Sequence, residues 1–288
     1  MIHHYASPFG IDISPEKFQN PIILKLFWVF IFKSTALEKP AILIPSCDKY
    51  ADVWPAFFYT LDKFWPECPY TIYLVSNHLT YDHPAVQPIL LGDDIDYSTN
   101  LLNALEQVPH SYVIVWIEDM IMCRKQPAEI DEIMARAIEE NISYLRLWKT
   151  EDNLGEVILP GIHILPKGLK FRVSLKPALW KKETLQKLII KGETPHQLER
   201  IGTKRSYQLD DTFCGLTTDM QPFRPRFINS IYRGGYEPGA LDYLKSIGFE
   251  FDQINRPVRS SPYQRIRNKL ITLANDLSYF FHKLFIKT

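Results

Sequence analysis

Two adjacent carboxylates, Glu118 and Asp119, directly follow an apolar run, YVIVWI, at positions 112–117. Such a run of β-branched and aromatic residues is typical of a strand buried on both faces. Because uncompensated carboxylates are costly to bury, two of them at the carboxyl end of a central strand need a reason. Ligands bind at that edge of an open α/β sheet, and paired acidic oxygens suit a hard cation that carries phosphates. The pattern therefore predicts a cation-assisted phosphate site, although a strand end that reaches solvent would show the same letters.

The segments before the pair alternate between strand and helix patterns. Unbroken apolar runs predict strands at 41–46 and 70–76, and apolar residues at helical spacing predict a helix at 52–65. A strand, a helix and a second strand form a β-α-β unit, which requires a parallel sheet and a right-handed crossover. The acid-bearing strand is therefore expected to join a parallel sheet.

The rest of the chain follows the same two patterns with less regularity. The helix that leads into the acid-bearing strand covers 100–108, and Ser98 or Thr99 is its predicted N-cap. The other predicted elements, in chain order, are a weak strand at 87–91, an amphipathic helix at 127–141, a strand at 142–148, a β hairpin pair from 157–165 and 169–175, a helix at 180–190, a short helix after Pro195, strand or loop segments at 209–211 and 227–232, and a short helix at 241–247.

The composition is that of an ordinary globular protein. Of 288 residues, 46% are hydrophobic and 23% are charged, and the formal net charge is zero, which argues against bulk nucleic-acid binding. The four cysteines are scattered without metal-type spacing and indicate free thiols in a reducing compartment. The longest apolar stretch, 21–32, is too short to span a bilayer and contains Lys25.

The last segment, 261–288, has a different pattern from the rest. Apolar residues recur at alternating spacings of three and four, and lysines and arginines cluster at both ends. This predicts a basic amphipathic helix that lies on an anionic membrane surface. A terminal helix packed on the domain, or a dimer seam, would show the same stripe.

Four segments carry a family resemblance: SCDKYADVWPAFFYTLDKFWPECPYTIYLVSN, STNLLNALEQ, VWIEDMIM and FRVSLKPALWKKETLQKLI. Together they extend over roughly residues 40–215 and resemble glycosyltransferases of the GT-A fold. More narrowly, they resemble bacterial transferases that build surface polysaccharides such as lipopolysaccharide and capsule.

This resemblance implies an α/β fold, with a GT-A-like, Rossmann-type, mostly parallel sheet flanked by helices. Residues 1–260 would form the catalytic domain, with a nucleotide-sugar half at about 40–150 and an acceptor half at about 151–260. The basic amphipathic helix at 261–288 would follow as a separate C-terminal element.

The resemblance also assigns the donor side of the site. In that fold the end of the first strand holds the nucleotide base, which implies Ser46 and Asp48, and a helix residue, here Asn100, precedes the acidic strand tip. Asp119 is then the metal ligand and a catalytic residue, with Glu118 in an open role. Because the sequence has Glu-Asp-Met in place of the usual Asp-x-Asp, dependence on a divalent metal (Mn or Mg) stays open.

Cations in the second half offer a substitute for the metal. Lys204 or Arg205 could neutralise a leaving diphosphate, since cations there serve the same electrostatic purpose. Arg172 could hold an acceptor or a phosphate. A structural role fits Arg172 equally well.

The catalytic base is sought among acids of the second half. An inverting transfer needs a carboxylate that takes the proton of the acceptor hydroxyl. Glu199 is the first choice by resemblance and Glu193 the second, with Asp210 and Asp211 as a rival pair. A solvated Glu199 paired with Arg200 would leave the same pattern.

The leading hypothesis is a nucleotide-sugar-dependent glycosyltransferase that acts on a growing surface glycan or lipid-linked acceptor, without nucleic-acid partners, in the cytoplasm or at the inner face of the membrane. A nucleotidyltransferase of similar sheet is one alternative, but its glycine- and basic-rich loop after the first strand is lacking, since PSCDKY has one lysine and no glycine. A non-catalytic carbohydrate-binding or scaffold protein is another.

Overall fold

A computed structural model describes residues 38–124, 129–147, 155–216, 228–251 and 256–259. These residues form a nine-stranded sheet with helices on both faces and two small two-stranded ribbons. The α/β fold with a largely parallel central sheet, as the sequence predicts, is confirmed. The apolar segment at 21–32 and the amphipathic helix predicted at 261–288 lie outside the described residues.

The strands, in chain order, are β1 (Ala41–Ile44), β2 (Ile72–Ser76), β3 (Val86–Leu90), β4 (Tyr112–Val115), β5 (Met120–Ile121), β6 (Tyr144–Arg146), β7 (Val157–Leu159), β8 (Ile162–Ile164), β9 (Ala178–Lys181), β10 (Phe213–Leu216), β11 (Ile228–Asn229), β12 (Ile231–Tyr232) and β13 (Gly235–Tyr236). The helices are α1 (Trp54–Phe64), α2 (Tyr97–Gln107), α3 (Ile130–Glu139), α4 (Lys182–Leu188), α5 (Pro195–Ser206) and α6 (Pro238–Ser246). None of these helices is both long and apolar enough to cross a bilayer.

The large sheet has the order β3-β2-β1-β4-β9-β6-β10-β8-β7 and takes strands from both halves of the chain. β1 pairs in parallel with β2 on one side and with β4 on the other. β9 then runs antiparallel between β4 and β6, although it comes after both in sequence. The parallel strands around β1 thus have their carboxyl ends at one edge of the sheet.

Two apolar layers explain why the central strands are apolar throughout. All four side chains of β1 are buried, and they alternate between the two faces. Ile42 and Ile44 belong to the same core cluster as Phe57 and Phe58 of α1, whereas Leu43 packs in the cluster that contains Leu101 of α2. Since a strand covered by helices on both faces has no solvent-facing side, period-two alternation of polar residues is absent.

The second half departs from the predicted elements. The helix predicted at 180–190 begins at Lys182, because the preceding residues form β9. Trp180 therefore lies in the core, with its ring centroid 4.2 Å from that of Tyr144. Residues 169–175 form turns rather than the predicted strand, and the hairpin partner of β7 is β8.

The start of α2 also differs from prediction. Asp96 is the N-cap, and its carboxylate accepts hydrogen bonds from the Thr99 amide at 2.9 Å and the Thr99 hydroxyl at 2.6 Å. The prediction of Ser98 or Thr99 as the cap is wrong, because helical geometry begins at Tyr97. The cap places the first turn of α2 beside the carboxyl ends of β1 and β4.

Candidate functional site

A cavity of about 400 Å³ lies at the carboxyl ends of β1 and β4, beside the first turn of α2. β1 leads through α1 to its neighbour β2, whereas β4 follows α2, which covers the opposite face of the sheet. The chain therefore diverges between β1 and β4, and ligands of open α/β sheets bind at such a switch point. Ser46, Asn100, Glu118 and Asp119 are among the residues that line this cavity.

The acid pair occupies the middle of a tight turn. The Met120 amide donates to the Ile117 carbonyl at 3.1 Å, so Glu118 and Asp119 are the two central residues. The buried Trp116 indole donates to the Met120 carbonyl at 2.8 Å. The Ser230 amide, just after β11, donates to the Asp119 carbonyl at 2.6 Å. The turn is thus held from both sides, and its two side chains are free to face the cavity.

A chain of hydrogen bonds fixes the buried carboxylate of Glu118. Its Oε1 accepts from the Ser46 hydroxyl at 3.0 Å, and the Ser46 oxygen in turn accepts from the Trp54 indole at 2.8 Å. A hydroxyl has one proton to donate. Because the Ser46 oxygen already accepts from Trp54, its proton is donated to Glu118. The second oxygen, Oε2, is buried and has no hydrogen-bond partner within the described ranges.

Both carboxyl groups of the pair hold their protons unusually tightly. The pKa of Glu118 is raised to about 8, chiefly by burial and to a lesser extent by the neighbouring charge of Asp119. Burial also raises the pKa of Asp119 to about 6. The fold therefore compensates the charged form of this pair only in part, and perturbed carboxyl groups in a cleft are characteristic of functional sites.

The pair fits a divalent cation that brings its own phosphate ligands. Carboxylate oxygens are the ligands that Mg²⁺ and similar cations prefer, and Mg²⁺ is commonly held by one or two carboxylates together with substrate phosphates. The unpartnered Oε2 of Glu118 and the adjacent Asp119 offer two such oxygens. No group of three or more His, Cys, Asp or Glu that could hold a metal occurs among the described residues. The pair would thus hold a cation jointly with a ligand rather than alone.

The opposite wall of the cavity carries further unsatisfied polar atoms. The Asn100 amide nitrogen donates to Asp94 at 2.9 Å, while its Oδ1 is buried without a partner in the described part of the chain. The Tyr97 hydroxyl is likewise buried and unpartnered there. Burial raises the pKa of Tyr97, and the charges of Glu118, Glu199 and Asp119 add to the shift. A ligand in the cavity would meet hydrogen-bonding groups on both walls.

Asp48 lies at the same edge, but its carboxylate serves the fold. It accepts hydrogen bonds from the amides of Asn77, His78 and Leu79 at 2.9 to 3.2 Å. Loss of hydration acts to raise its pKa, but these hydrogen bonds outweigh that effect and hold the pKa below the usual value of 3.8. The neighbouring Cys47 and Tyr50, rather than Asp48, line the cavity.

The cations predicted for the diphosphate lie elsewhere. Arg172 is 3% exposed, and its guanidinium donates to the carbonyls of Leu165 and Ser206 at 2.8 and 2.6 Å. Arg205 forms a bidentate ion pair with Glu193, at 2.7 and 2.6 Å. Lys204 is exposed on α5. None of these three cations lines the cavity.

The acids predicted as the base are also distributed over the second half. Oε1 of Glu199 accepts from the Ser174 hydroxyl at 3.0 Å and the Leu175 amide at 2.8 Å. Its charge adds to the raised pKa of Tyr97, which lines the cavity, whereas Glu199 itself is not a lining residue. Asp211 accepts from the Thr184 hydroxyl, and Asp210 lies exposed near Lys167.

Several lining residues were not identified from the sequence, namely Tyr50, Asp94, Asp96 and Tyr97, as well as Trp54 behind the lining. One signal could have found Asp96: an aspartate three residues before a threonine is a capping pattern. Trp54 reads as core from its helical spacing, and nothing in the sequence reveals its bond to Ser46.

No protein-family model matches the sequence, and no curated protein matches it significantly. Solved structures to which the chain shows some similarity include S. aureus TarS in complex with UDP (13% identity, TM-score 0.42, 62% of this chain and 61% of that one). Another is the Pyrobaculum calidifontis mannosyltransferase PcManGT with GDP-Man and Mn²⁺ (14%, TM-score 0.39, 68% and 61%). A third is UDP-glucose pyrophosphorylase complexed with UDP-glucose (8%, TM-score 0.40, 62% and 90%).

The chain spans less than two thirds of the three TarS chains that it matches, from 37% to 61% of their lengths. At TM-scores near 0.4, function has to be argued from the site of this chain itself.

Proposed function

We propose that this chain is a glycosyltransferase that moves a sugar from a nucleotide-sugar donor to a growing surface glycan or lipid-linked acceptor. The observation that carries the proposal is the acid pair at the switch-point cavity, where Glu118 keeps one buried oxygen without a partner. A divalent cation carried by the donor diphosphate would supply the positive charge that this pair lacks. The cavity volume of about 400 Å³ lies within the range of small-ligand sites.

Asp119 and Glu118 hold the diphosphate end of the donor in this proposal. A divalent cation bound there would stabilise the negative charge that develops on the leaving diphosphate. Ser46 and Trp54 keep the Glu118 carboxylate turned so that Oε2 faces the cation position. Asn100 and Tyr97 hydrogen-bond the donor from the opposite wall through their unpartnered oxygens.

Transfer then forms one bond and breaks another. The acceptor hydroxyl oxygen bonds to the anomeric carbon of the sugar, the bond from that carbon to the diphosphate breaks, and the hydroxyl proton passes to a carboxylate. Glu199 is the proposed base: Oε1 is engaged by two donors, whereas no hydrogen bond to Oε2 occurs in the described ranges. Glu193 is a weaker candidate because its carboxylate is fully engaged by Arg205.

The products distinguish this function from its alternatives. A glycosyltransferase releases a nucleoside diphosphate, whereas a nucleotidyltransferase with the same cavity would release pyrophosphate. A non-catalytic binding protein would release neither. Contact of residues 261–288 with an anionic membrane stays a prediction from the sequence.

A panel of nucleotide sugars, each tested with and without Mn²⁺, tests the proposal. A ligand that binds the native state alone raises the melting temperature, so one nucleotide sugar should stabilise the protein, and more strongly with Mn²⁺. That donor should also be hydrolysed slowly to a nucleoside diphosphate. Stabilisation by a nucleoside triphosphate with release of pyrophosphate, or no stabilisation by any nucleotide, would overturn the proposal.

A further inference from the structure

Two arginines meet at the tip of the hairpin formed by β12 and β13. The guanidinium carbons of Arg233 and Arg259 lie 5.5 and 5.0 Å from the ring centroid of Tyr232, which is 45% exposed. Arg259 also donates to the Arg233 carbonyl at 3.0 Å. Neither arginine forms an ion pair with a carboxylate among the residues that the structure describes. Most of their N–H groups therefore face solvent without a protein acceptor.

The backbone at this tip is strained. Arg233 and Gly234 form the two-residue turn, with φ of 50° and 80°. Such turns favour Asn-Gly or Gly-Gly, because a residue with a long side chain is disfavoured at positive φ. An arginine held there against this preference is typical of a functional position.

Direct contacts connect the hairpin tip to the cavity. Arg256 donates to the Gly234 carbonyl at 3.5 Å, and its guanidinium lies 4.4 Å from the ring centroid of Tyr50, a lining residue. Asp52 neutralises Arg256 through two hydrogen bonds of 2.8 Å. The uncompensated charge of this region is therefore that of Arg233 and Arg259, and Arg256 connects their hairpin to the lining residue Tyr50.

The segment that carries Arg259 is fitted closely to the hairpin. A Cβ at Gly235 would lie 2.5 Å from the Pro257 carbonyl oxygen, so glycine is required for this approach. Val258 bridges to Tyr236, and the Arg259 amide donates to the Tyr236 carbonyl at 3.3 Å. Backbone contacts of the segment thus place Arg259 beside Tyr232, in addition to the contacts of its own side chain.

We infer that Arg233 and Arg259 bind the anionic groups of the acceptor, and that the acceptor is an anionic glycan. This inference rests on the proposed function, since it specifies the acceptor of the same site. A planar guanidinium matches carboxylate and phosphate oxygens through two parallel hydrogen bonds, and the Tyr232 ring orients both groups by cation–π contact.

An anionic membrane fits this surface less well. Two guanidinium groups lie against the Tyr232 ring, so insertion of that ring among lipid tails would carry both charges toward the apolar layer, which is costly. Their directed contacts define two fixed positions, which suit discrete anions along a chain better than a diffuse layer of headgroups.

Binding of the full chain to fluorescein-labelled dextran sulfate, with neutral dextran of equal length as reference, tests the inference. Dextran sulfate should bind, and neutral dextran should not. Arg233→Gly and Arg259→Ala should each weaken binding about threefold to tenfold, as expected for loss of a charge-assisted contact. Because glycine tolerates positive φ, Arg233→Gly should melt at the wild-type temperature or above, which excludes loss of fold as the cause.

Lys170→Ala is the matched control. Lys170 lies 5.5 Å from the ring centroid of Phe171, which is 40% exposed and has φ of 54°, so this variant also removes a cation from an exposed ring next to a residue with positive φ. Its binding of dextran sulfate should equal that of the wild type.

Three outcomes would overturn the inference: unchanged binding in both arginine variants, an equal loss in Lys170→Ala, or arginine-dependent binding to phosphatidylglycerol vesicles without binding to dextran sulfate. Failure of the proposed function is a separate observation. In that case, no nucleotide sugar would stabilise the wild-type protein, whatever its behaviour toward dextran sulfate.

Discussion

Acidic residues near the cavity fall into two groups with opposite electrostatics. Asp48 and Asp96 accept several hydrogen bonds each from backbone and side-chain donors, and these bonds outweigh lost hydration and keep both pKa values low. Glu118 and Asp119 lie at the same edge of the sheet, and burial raises their pKa values to about 8 and about 6. Carboxyl groups at one edge of the sheet therefore have two opposite electrostatic environments.

The difference shows what each group is for. Asp48 links the loop after β1 to the loop after β2, and Asp96 caps α2 and also accepts from the Gly192 amide at 3.1 Å. Their lone pairs are used by the fold. Oε2 of Glu118, by contrast, is buried without a partner among the described residues, which costs stability in the ligand-free protein. Unused acceptors at a switch-point cavity are therefore the better indicator of a ligand site.

The largest expected effect is that of Asp119→Asn. Because the substitution removes a fixed anion from the diphosphate side, we expect sugar transfer to fall at least about a hundredfold, in the range seen when one electrostatic contact to a transition state is lost. Circular dichroism and the melting temperature should be unchanged or slightly improved.

Asp48→Asn serves as the matched control for this variant, because Asp48 lies at the same edge of the sheet but does not line the cavity. It should lower the melting temperature by weakening the bonds to the amides of Asn77, His78 and Leu79, while turnover stays near that of the wild type. Equal turnover of Asp119→Asn and wild type would remove Asp119 from the site.

The second effect is a pH dependence of stability. A carboxyl group with a raised pKa in the folded state stabilises the fold most below its unfolded pKa, 4.5 for Glu118, and this contribution is lost as pH rises through the folded value of about 8. We therefore expect the melting temperature of the ligand-free protein to fall between pH 5 and pH 9, since each pKa unit corresponds to about 1.4 kcal/mol.

Glu118→Gln should flatten this fall, because glutamine has no proton to lose. Differential scanning calorimetry at a series of pH values measures both curves. Parallel curves for the variant and the wild type would contradict the raised pKa of Glu118.

Asp48→Ala should have the opposite signature. Three amides lose their acceptor, and we expect the free energy of unfolding at pH 7 to fall by about 2 kcal/mol. Since the pKa of Asp48 is lowered, its contribution exists above the unfolded value of 3.8 and is lost as pH falls through the folded value. Urea unfolding should therefore show a smaller difference between variant and wild type at pH 3 than at pH 7; a difference that does not depend on pH would argue against this role.

Trp54→Phe should produce the smallest effect. The indole donor to Ser46 is lost while the ring is kept, so the free energy of unfolding should fall by about 1 kcal/mol. The Ser46 proton is then no longer directed to Glu118, and more Mn²⁺ should be needed for half-maximal stabilisation by the donor. A Trp54→Phe variant with the wild-type Mn²⁺ requirement would limit the indole to packing.

The parallel part of the fold follows from local patterns, which explains why it was predictable. β1, α1 and β2 are close in sequence, and each has the period of its own element. β9 was missed because Ala178–Lys181 joins α4 without a turn residue between them. Its strand geometry comes from pairing with β4 and β6, and such tertiary context overrides a helical pattern.

The candidate site was likewise predictable only where a local sequence pattern marked a residue. Glu118 and Asp119 could be found because two acids after an apolar strand conflict with burial. The surroundings of Arg172 and Arg205 could not, since the carbonyls and the Glu193 carboxylate that engage them become neighbours through folding alone. The sequence shows that an arginine is present, but not whether a carbonyl or carboxylate of the folded protein already pairs with it.

β9 comes late in the sequence although it pairs with β4, and this has a consequence for biosynthesis. On the ribosome, β1, β2 and β4 emerge well before Ala178–Lys181, the segment that covers the outer edge of β4. At roughly 5–20 residues per second, that apolar edge stays unpaired for several seconds. An exposed edge of this kind is a template for intermolecular pairing. We expect nascent chains that are arrested before Ala178 to engage chaperones, and those extended past Lys181 to release them.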